Sequence, residues 1–563
     1  LRPGARFGVR HGRRQTAAHS HGDDHADRHT FSLAVAPRLI VLGWDSATFD
    51  VADLLLADGR LPALGALAEK GFRAPLRSTW PPMTDCAWTS AFTGVNPGKH
   101  GIFGSWYRAP GSYSCRYFSG RDRKAAALWE IADEPRFLVW NVPMTYPPER
   151  VHGAMLAGYG APPGAVVSEP RDLQTSLAQR WPLVDLLDRA PHGSLEEFRD
   201  DLLRGLAAQA QALPWAIREI DADVVLAVWP HVDRAQHFFW NFRGTRHPLA
   251  PVVDDVYEAM DRATGAVVDA FPDADVLIVS DHGAGTLNGD INVGAFLAQH
   301  GHAEFARPRR SPASLVWSLP PSVRRLGRRV APGLARKAMS ARLAGQLAPF
   351  DWNRTEAFFG FHSDLWLNLA GREPDGIVSP DRATAVVNEI RAELLSIEDP
   401  ATGLPVFAGA HTRDEIYSGE HAALGPDLML DPWSAGYRVA PSRRAGDELV
   451  IPPEPLAGVE APWSSDHRPL GIFVAGGPRV ARGSADELNL YDVTPTALAL
   501  LGASIPEGLD GRAVVEAIDP GHVEAHPISA GGAVARRDGE GGVYSDAEAA
   551  AVAEHLKELG YIE

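Results

Sequence analysis

Cysteine and long apolar runs are scarce in this sequence. Its 563 residues include only two cysteines, Cys86 and Cys115, which excludes a disulfide framework and a zinc site built on cysteine. No apolar run approaches the roughly 20 residues that a membrane-spanning helix needs, so no transmembrane segment is expected. Basic residues number 54 against 71 acidic ones, and the net charge of −17 argues against a nucleic-acid-binding surface. Any metal would therefore be held by histidine, aspartate or glutamate.

Three stretches differ in composition from a main domain that we expect at residues 37–520. Residues 1–36 are polar, histidine-rich and without an apolar period, which predicts a disordered tail. An insertion at about residues 303–350 is basic, because residues 307–342 carry nine arginines and one lysine but no acid. It fits a lid that faces an anionic substrate, a lipid-contacting patch or a solvated helical insertion. Residues 521–563 form a C-terminal extension, with a helix that starts at the capping pair Ser545 and Glu548.

Short runs of valine, isoleucine and leucine alternate with helical stretches from Arg38 onward. Runs of this kind with long connections are typical of buried parallel strands joined by helical crossovers. The predicted fold class is therefore α/β, with a mainly parallel sheet sandwiched by helices and with inserted cap or lid segments. The predicted strands are Leu39–Gly43, Phe137–Trp140, Val224–Val228, Val276–Ser280, Leu428–Leu430 and Ile472–Ala475. No export signal with an apolar core is recognisable, so the expected location is the cytoplasm.

Acidic and histidine side chains follow three of these strands, and one further histidine precedes another. In open α/β sheets ligands gather at the carboxyl ends of the strands, so we expect these side chains to lie together. Carboxylates and imidazoles suit a divalent metal, and six such groups suit two ions better than one. Two ions close together are a recurring device for displacement at phosphorus. The six residues are Asp45, Asp233, His237, Asp281, His282 and His467.

A hydroxyl-rich segment at residues 80–94, followed by residues 95–102, supplies candidate nucleophiles. Together with the six ligand candidates it resembles the alkaline phosphatase superfamily. The closest likeness is to the type I phosphodiesterase/nucleotide pyrophosphatase branch, in particular its bacterial members described as phosphohydrolases or phosphomutases. Several shorter stretches are similar to that branch in the same order. They include Asn141–Pro148, Gly371–Val378, Asp492–Thr496, Leu509–Arg512 and Leu559–Ile562.

The resemblance implies a role for each candidate residue. Thr84 stands ten residues before Gly94, where the superfamily places its nucleophile, whereas Thr89, Ser90 and Thr93 fit the helix that would follow. The implied activity is metal-dependent hydrolysis of a small phosphorylated substrate through a phosphothreonine intermediate. Two divalent ions are implied, with zinc expected and manganese as the alternative. One would be held by Asp45, Thr84, Asp281 and His282, and the other by Asp233, His237 and His467.

Two features depart from related enzymes. Cys86 does not begin a C-x-P-x-R motif, so a sulfatase's formylglycine is not available. Ala87 stands where nucleotide pyrophosphatases resemble one another in a phosphate-contacting asparagine, and Asp85 follows Thr84 directly. An acid there would repel a phosphoryl dianion unless it points away or pairs with a cation. A phosphomutase, a phosphomonoesterase and a non-catalytic metal-binding homologue therefore stay as alternatives, and no sequence feature indicates an oligomeric state.

Overall fold

The structure, a computed structural model, describes residues 36–552 with several gaps. These described residues belong to one compact unit, Val35–Glu563. The predicted tail, except for its last residue, and the basic stretch 307–342 fall outside them. The gaps are residues 109–110, 114, 163, 188–192, 307–349, 361–362, 440–447, 453–462, 534, 536, 538–543, 546–547 and 550.

The described elements alternate between strands and helices over the first half of the chain. The strands are β1 (Leu39–Trp44), β2 (Phe72–Arg77), β3 (Trp106–Arg108), β4 (Cys115–Tyr117), β5 (Phe137–Trp140), β6 (Gly153–Leu156), β7 (Ser168–Glu169), β8 (Val224–Trp229), β9 (Asp275–Val279), β10 (Gly283–Thr286), β11 (Gly289–Ile291), β12 (Ala357–Phe359), β13 (Asp364–Leu367), β14 (Gly409–Thr412), β15 (Leu428–Asp431), β16 (Tyr437–Val439), β17 (Val450–Ile451), β18 (Ser465–Arg468), β19 (Leu470–Gly476), β20 (Gly483–Ser484), β21 (Leu488–Asn489), β22 (Ile505–Glu507) and β23 (Ala530–Ala533). The helices are α1 (Phe49–Ala57), α2 (Pro62–Lys70), α3 (Thr84–Thr93), α4 (Pro97–His100), α5 (Leu128–Ile131), α6 (Arg171–Ala178), α7 (Leu183–Leu186), α8 (Leu195–Ile220), α9 (His231–Phe239), α10 (Val252–Ala270), α11 (Val293–Gln299), α12 (Pro380–Leu394), α13 (Arg413–Ile416), α14 (Val493–Leu501) and α15 (Pro520–Ala525). Short 3-10 turns lie at Gly120–Asp122, Trp240–Phe242, Trp352–Arg354, Ala422–Leu424, Leu490–Asp492 and Val515–Ala517.

The main sheet has ten strands, in the order β20-β2-β19-β9-β1-β8-β5-β6-β7, with β21 also paired to β2. β1 pairs in parallel with β8 and β9, and β5 pairs in parallel with β8 and β6. β19 runs antiparallel to both β9 and β2, so β2 has the same direction as β1. The carboxyl ends of β1, β2, β8 and β9 therefore meet at one edge, together with the first residue of β19.

Both faces of the sheet are covered by helices. Successive residues of a strand point to opposite faces. In β1, Ile40 and Leu42 pack into a core that includes α8 and α10, while Leu39 and Val41 pack into a second core that includes α3 and α14. A strand buried on both sides reads as a continuous apolar run, which is why β1 was recognisable in the sequence. The predicted α/β fold, with a mainly parallel sheet between helices, is confirmed.

A smaller antiparallel sheet stands apart from the main one. Its order is β12-β13-β15-β14, and with α11 and α12 it encloses a third core. The predicted run at 428–430 is a strand, but it belongs here as β15 and not to the main sheet, because an apolar run alone does not reveal its pairing partner. Phe305 and Phe350, at the two ends of the basic insertion, form an isolated antiparallel bridge with rings 5.2 Å apart. Residues 305 and 350, which flank the insertion, are therefore in direct contact; we call this smaller sheet with α11 and α12 the cap.

The C-terminal extension lies against the rest of the unit where it is described. The backbone N–H of Ser545 donates to Glu548 Oε2 over 2.9 Å, and the N–H of Glu548 donates to Ser545 Oγ over 3.3 Å. These are the two reciprocal bonds that the sequence pattern predicts for a helix start. Val552 is buried among residues that include Met83 and Cys86. Within the described ranges, no helix combines the length and apolar character needed to cross a bilayer.

The central strand β9 allows a test of the two-sided core. Leu277 is fully buried, whereas Leu54 in α1 is 56% exposed. We expect Leu277→Ala to lower the free energy of unfolding by about 2–5 kcal/mol, because it removes apolar contacts and leaves a cavity. Leu54→Ala should change it by less than about 0.5 kcal/mol. Urea denaturation of both variants would measure this, and equal losses would contradict the assignment of the core.

Candidate active site

The sequence-predicted site residues converge at one edge of the main sheet. Asp45 directly follows β1, and Asp281 and His282 follow β9. Asp233 and His237 lie one turn apart on α9, directly after β8, while His467 precedes β19 on β18. Thr84 is the first residue of α3, which ends at Gly94 with a φ of +69°, a conformation that favours glycine. All seven side chains are buried.

Asp45, Asp281 and His282 form the first of two adjacent groups. His282 Nε2 lies 3.1 Å from Asp281 Oδ2 and 4.0 Å from Asp45 Oδ1. Thr84 Oγ1 lies 3.4 Å from the same imidazole nitrogen. One ligand atom from each of the first three residues falls within 4.8 Å of the others, a spacing that one metal ion can bridge. The geometry thus brings together the four residues assigned to one ion.

Asp233, His237 and His467 form the second group. Asp233 Oδ1 lies 3.0 Å from His237 Nε2 and 3.7 Å from His467 Nε2. The rings of His282 and His467 stack with centroids 3.8 Å apart, so the two groups share a border. Asp233, His282 and His467 also bring ligand atoms within 4.8 Å of one another. His282, which the resemblance assigns to the first group alone, therefore lies within reach of both.

Each histidine of the site has its Nδ1 bonded to a backbone carbonyl. The acceptors are Ser465 for His237 at 2.8 Å, Gly283 for His282 at 3.1 Å, and Pro82 for His467 at 2.8 Å. A carbonyl oxygen can only accept, so each Nδ1 donates a hydrogen to it, and each Nε2 is the ring nitrogen that faces the buried aspartates. This is the arrangement found in histidines that bind metals, where the outer hydrogen bond fixes the tautomer and the ring orientation.

The charges of the site favour a cation. Burial raises the pKa of Asp281 well above its usual value, and the charge of Asp45 raises it further. Burial likewise lowers the pKa of His282 far below its usual value and that of His467 to about 3, with the neighbouring histidines adding to both effects. For Asp233 burial acts upward, but His237, Arg234 and His467 together outweigh it and the net pKa is lowered. The repulsion between close buried carboxylates is relieved most directly by a bound divalent ion.

Two buried atoms of the site point to the same conclusion. Asp281 Oδ2 and His467 Nε2 have no hydrogen-bond partner among the described residues. A buried polar atom without a partner is costly, and a metal ion would satisfy both a carboxylate oxygen and an imidazole lone pair. The donor set of oxygen and nitrogen ligands fits zinc or manganese. The residues present therefore fit the divalent metals that the sequence suggested.

The competing hydroxyl groups on α3 are engaged within the protein. Thr89 Oγ1 donates to the carbonyl of Asp85 over 2.6 Å, and Thr93 Oγ1 donates to that of Thr89 over 2.7 Å. Ser90 Oγ lies 2.8 Å from His100 Nε2. That pair is not a nucleophile with its base, because the N–H of Ile102 donates to His100 Nδ1 and the imidazole hydrogen must be on Nε2. Among these hydroxyls, Thr84 is the one beside the histidine cluster.

Asp85, which the sequence analysis flagged as a source of repulsion, is turned to other partners. Its side chain is fully buried, and the Tyr117 hydroxyl donates to its Oδ2 over 3.3 Å. Burial raises the pKa of Asp85 to about 7, against the opposing effect of hydrogen bonds from Ser105 and Tyr117. Its negative charge is therefore partly suppressed near neutral pH, which answers the objection to a phosphoryl group beside Thr84.

Three supporting contacts were not anticipated from the sequence. The indole N–H of Trp88 donates to Asp45 Oδ2 over 3.0 Å, and the backbone N–H of Ser46 donates to Asp281 Oδ1 over 3.2 Å. Arg234 Nη1 lies 3.4 Å from Asp233 Oδ2. The position of Trp88, four residues after Thr84 and so on the same helix face, was a usable signal for the first contact. The other two depend on backbone orientation or on an arginine next to a ligand, which no pattern marks.

An α/β sheet that gathers buried aspartates, histidines and one threonine at a single edge defines an enzyme with a candidate metal centre. The sequence model of the type I phosphodiesterase/nucleotide pyrophosphatase family matches residues 39–455, which is most of the chain. The protein belongs to this family, and it is a hydrolase that acts on phosphoric ester bonds. The resemblance stated from the motifs is thereby confirmed.

Solved structures with a similar fold include two enzymes. Murine ectonucleotide pyrophosphatase/phosphodiesterase 5 is 12% identical with a TM-score of 0.46, covering 86% of this chain and 100% of that one. Phosphonoacetate hydrolase from Sinorhizobium meliloti 1021, in complex with phosphonoacetate, is 14% identical with a TM-score of 0.48, covering 82% and 94%. The likeness at these identities concerns the fold. No curated protein sequence is significantly similar to this chain.

The buried Ser90–His100 pair makes a prediction about pH. Burial, with Arg123 nearby, lowers the pKa of His100 to about 3 from 6.5, so the unfolded chain takes up a proton first as the pH falls. The stability due to neutral His100 is complete above pH 6.5 and is lost as the pH falls toward 3. We expect the Tm of the wild type to decrease more steeply over this range than that of His100→Asn. Thermal melts at matched pH values would measure both slopes, and equal slopes would contradict the prediction.

Proposed function

We propose that this protein hydrolyses a small phosphoric ester by double displacement, with a phosphothreonine intermediate on Thr84 at a two-metal site. The observation that carries the proposal is the orientation of His237, His282 and His467. Three imidazoles from three separate elements all have Nδ1 bound to a carbonyl and Nε2 facing buried aspartates. A structural core has no need to turn the Nε2 atoms of three imidazoles toward buried carboxylates. A metal-dependent active site does.

Each group of residues would hold one ion. Asp45, Asp281 and His282, with Thr84, would bind the first, and Asp233, His237 and His467 the second. When bound, two divalent ions supply charge neutralisation at the phosphoryl group and acidify the attacking hydroxyl and the attacking water. Zinc is the metal that we propose, with manganese as the alternative for a ligand set of this kind.

The residues of the chain provide the nucleophile and its position. Thr84 lies at the N-terminus of α3, where the free backbone N–H groups of the first turn favour negative charge on the threonine oxygen and on the phosphoryl group. Its hydroxyl attacks phosphorus, the ester oxygen leaves, and water then cleaves the phosphothreonine. Because Thr84 and the histidines are buried, bulk water is largely excluded from the reacting centre.

The nucleophile is tested with aryl phosphates. Thr84→Ala should lower turnover of bis-(p-nitrophenyl) phosphate by at least about 1,000-fold, because the covalent route is lost. Ser90→Ala is the matched control. It leaves His100 without its acceptor and should cost about 1–3 kcal/mol of stability, but turnover should stay close to that of the wild type. Turnover close to that of the wild type in Thr84→Ala, or equal losses in both variants, would overturn the role of Thr84.

The same assay separates the alternatives on this fold. Turnover of p-nitrophenyl phosphate alone would favour a phosphomonoesterase. Transfer of the phosphoryl group back to an acceptor, without release of inorganic phosphate, would favour a phosphomutase. An acid quench during turnover should place phosphate on the peptide that contains Thr84. Bound metal without turnover of any phosphoric ester would favour the non-catalytic homologue.

The metal site is tested by measuring the metal content of the purified protein. Wild-type protein should hold two divalent ions per chain, and treatment with a chelator should abolish turnover until zinc or manganese is restored. His467→Ala should lose one of the two ions because it removes an Nε2 ligand. His302→Ala is the matched control, since His302 is also buried but pairs with Glu393 in the cap. Metal analysis of the purified variants gives the result, and unchanged content in His467→Ala would contradict the site.

A further inference from the structure

Trp88 joins the helix of the proposed nucleophile to the first strand of the sheet. It lies four residues after Thr84 on α3, so the two side chains share one face of the helix. Its indole N–H donates to Asp45 Oδ2 over 3.0 Å, and both residues are buried. Asp45 directly follows β1. One hydrogen bond therefore connects the element that carries the hydroxyl with the element that carries a proposed metal ligand.

A glycine provides the space for the indole ring. A Cβ added at Gly43 would lie 2.5 Å from Trp88 Cη2 and 2.9 Å from Trp88 Cζ2, which is closer than non-bonded atoms approach. Gly43 stands two residues before Asp45, so β1 supplies both the room for the ring and the carboxylate that the ring binds. Phe92 stacks on the indole at 5.7 Å with an interplanar angle of 16°. The ring is thus confined by its neighbours and has a defined orientation.

The hydrogen bond from Trp88 engages one oxygen of Asp45, and the other oxygen faces the site. Oδ2 accepts from the indole, whereas Oδ1 lies 4.0 Å from His282 Nε2. Asp281 is arranged in the same way: the N–H of Ser46 donates to its Oδ1 over 3.2 Å, and its Oδ2 lies 3.1 Å from His282 Nε2. In both carboxylates the protein holds one oxygen and presents the other toward the same imidazole.

We infer that Trp88 is a positioning residue that orients Asp45, so that Oδ1 and not Oδ2 binds the first metal ion. This inference rests on the proposed function. A donor on the outer oxygen restricts rotation of the carboxylate, and loss of such a donor weakens metal binding by about 10- to 100-fold. Because Trp88 shares α3 with Thr84, it also fixes the ligand relative to the hydroxyl that the same ion would contact.

The test is the zinc affinity of the metal-free full-length protein, measured by competition with a chromophoric chelator. Trp88→Phe keeps an aromatic ring but removes the N–H, and it should weaken the affinity for one of two zinc ions by about 10-fold or more. The matched control is Trp140→Phe. The indole of Trp140 also donates to a buried side chain, but its acceptor is Gln209 Oε1, at 3.0 Å, and not a proposed metal ligand. This control should retain both affinities.

Gly43→Ala provides a second variant that keeps the indole N–H but displaces the ring. It should lower the same zinc affinity as Trp88→Phe, and its Tm shows whether it folds. Wild-type affinity in Trp88→Phe, or an equal loss in Trp140→Phe, would overturn the inference alone. If the wild-type protein bound no zinc or manganese, the proposed function itself would fail and the inference with it.

Discussion

The structure around the site depends on the placement of buried negative charge at one edge of the sheet. Asp45, Asp233 and Asp281 are each almost inaccessible to water. Buried carboxylates in such proximity repel one another, and an isolated ionised group in the interior is costly. The pKa of Asp281 is raised, which favours its protonated, uncharged form. The pKa of Asp233 is lowered, because His237 and Arg234 stabilise its negative charge. A divalent ion would serve both.

The histidines of the site connect the buried aspartates to the backbone. Each imidazole has its Nε2 turned toward the buried aspartates, and a hydrogen bond from its Nδ1 to a backbone carbonyl holds the ring in that orientation. Those carbonyls belong to Ser465, Gly283 and Pro82, in three separate parts of the chain. An imidazole therefore binds the backbone at three places: in the loop before α3, at the first residue of β10 and at the first residue of β18. Two groups of ligands that border on His282 and His467 follow from this convergence.

Helix α3 shows how one element separates a reactive group from inert ones of the same type. Its later hydroxyls bond to helix carbonyls or, for Ser90, to a buried imidazole that is already a donor. Thr84, at the first position, has no earlier turn of helix to bond with and faces His282 instead. Trp88 then uses the same face to reach Asp45. Position along the helix, more than residue type, decides which groups reach the site.

The class of fold, most of the central strands and the residues at the strand ends were predictable from the amino-acid sequence, because apolar runs and the polar residues after them follow local rules. The role of Thr84 came from the family resemblance. Three features became visible only in the folded chain: the run at 428–430 pairs in a second sheet, His282 borders both ligand groups, and Trp88 bonds to Asp45 across 43 residues. These features depend on hydrogen bonds and packing between segments far apart in the chain, and a local pattern does not encode which distant segments meet.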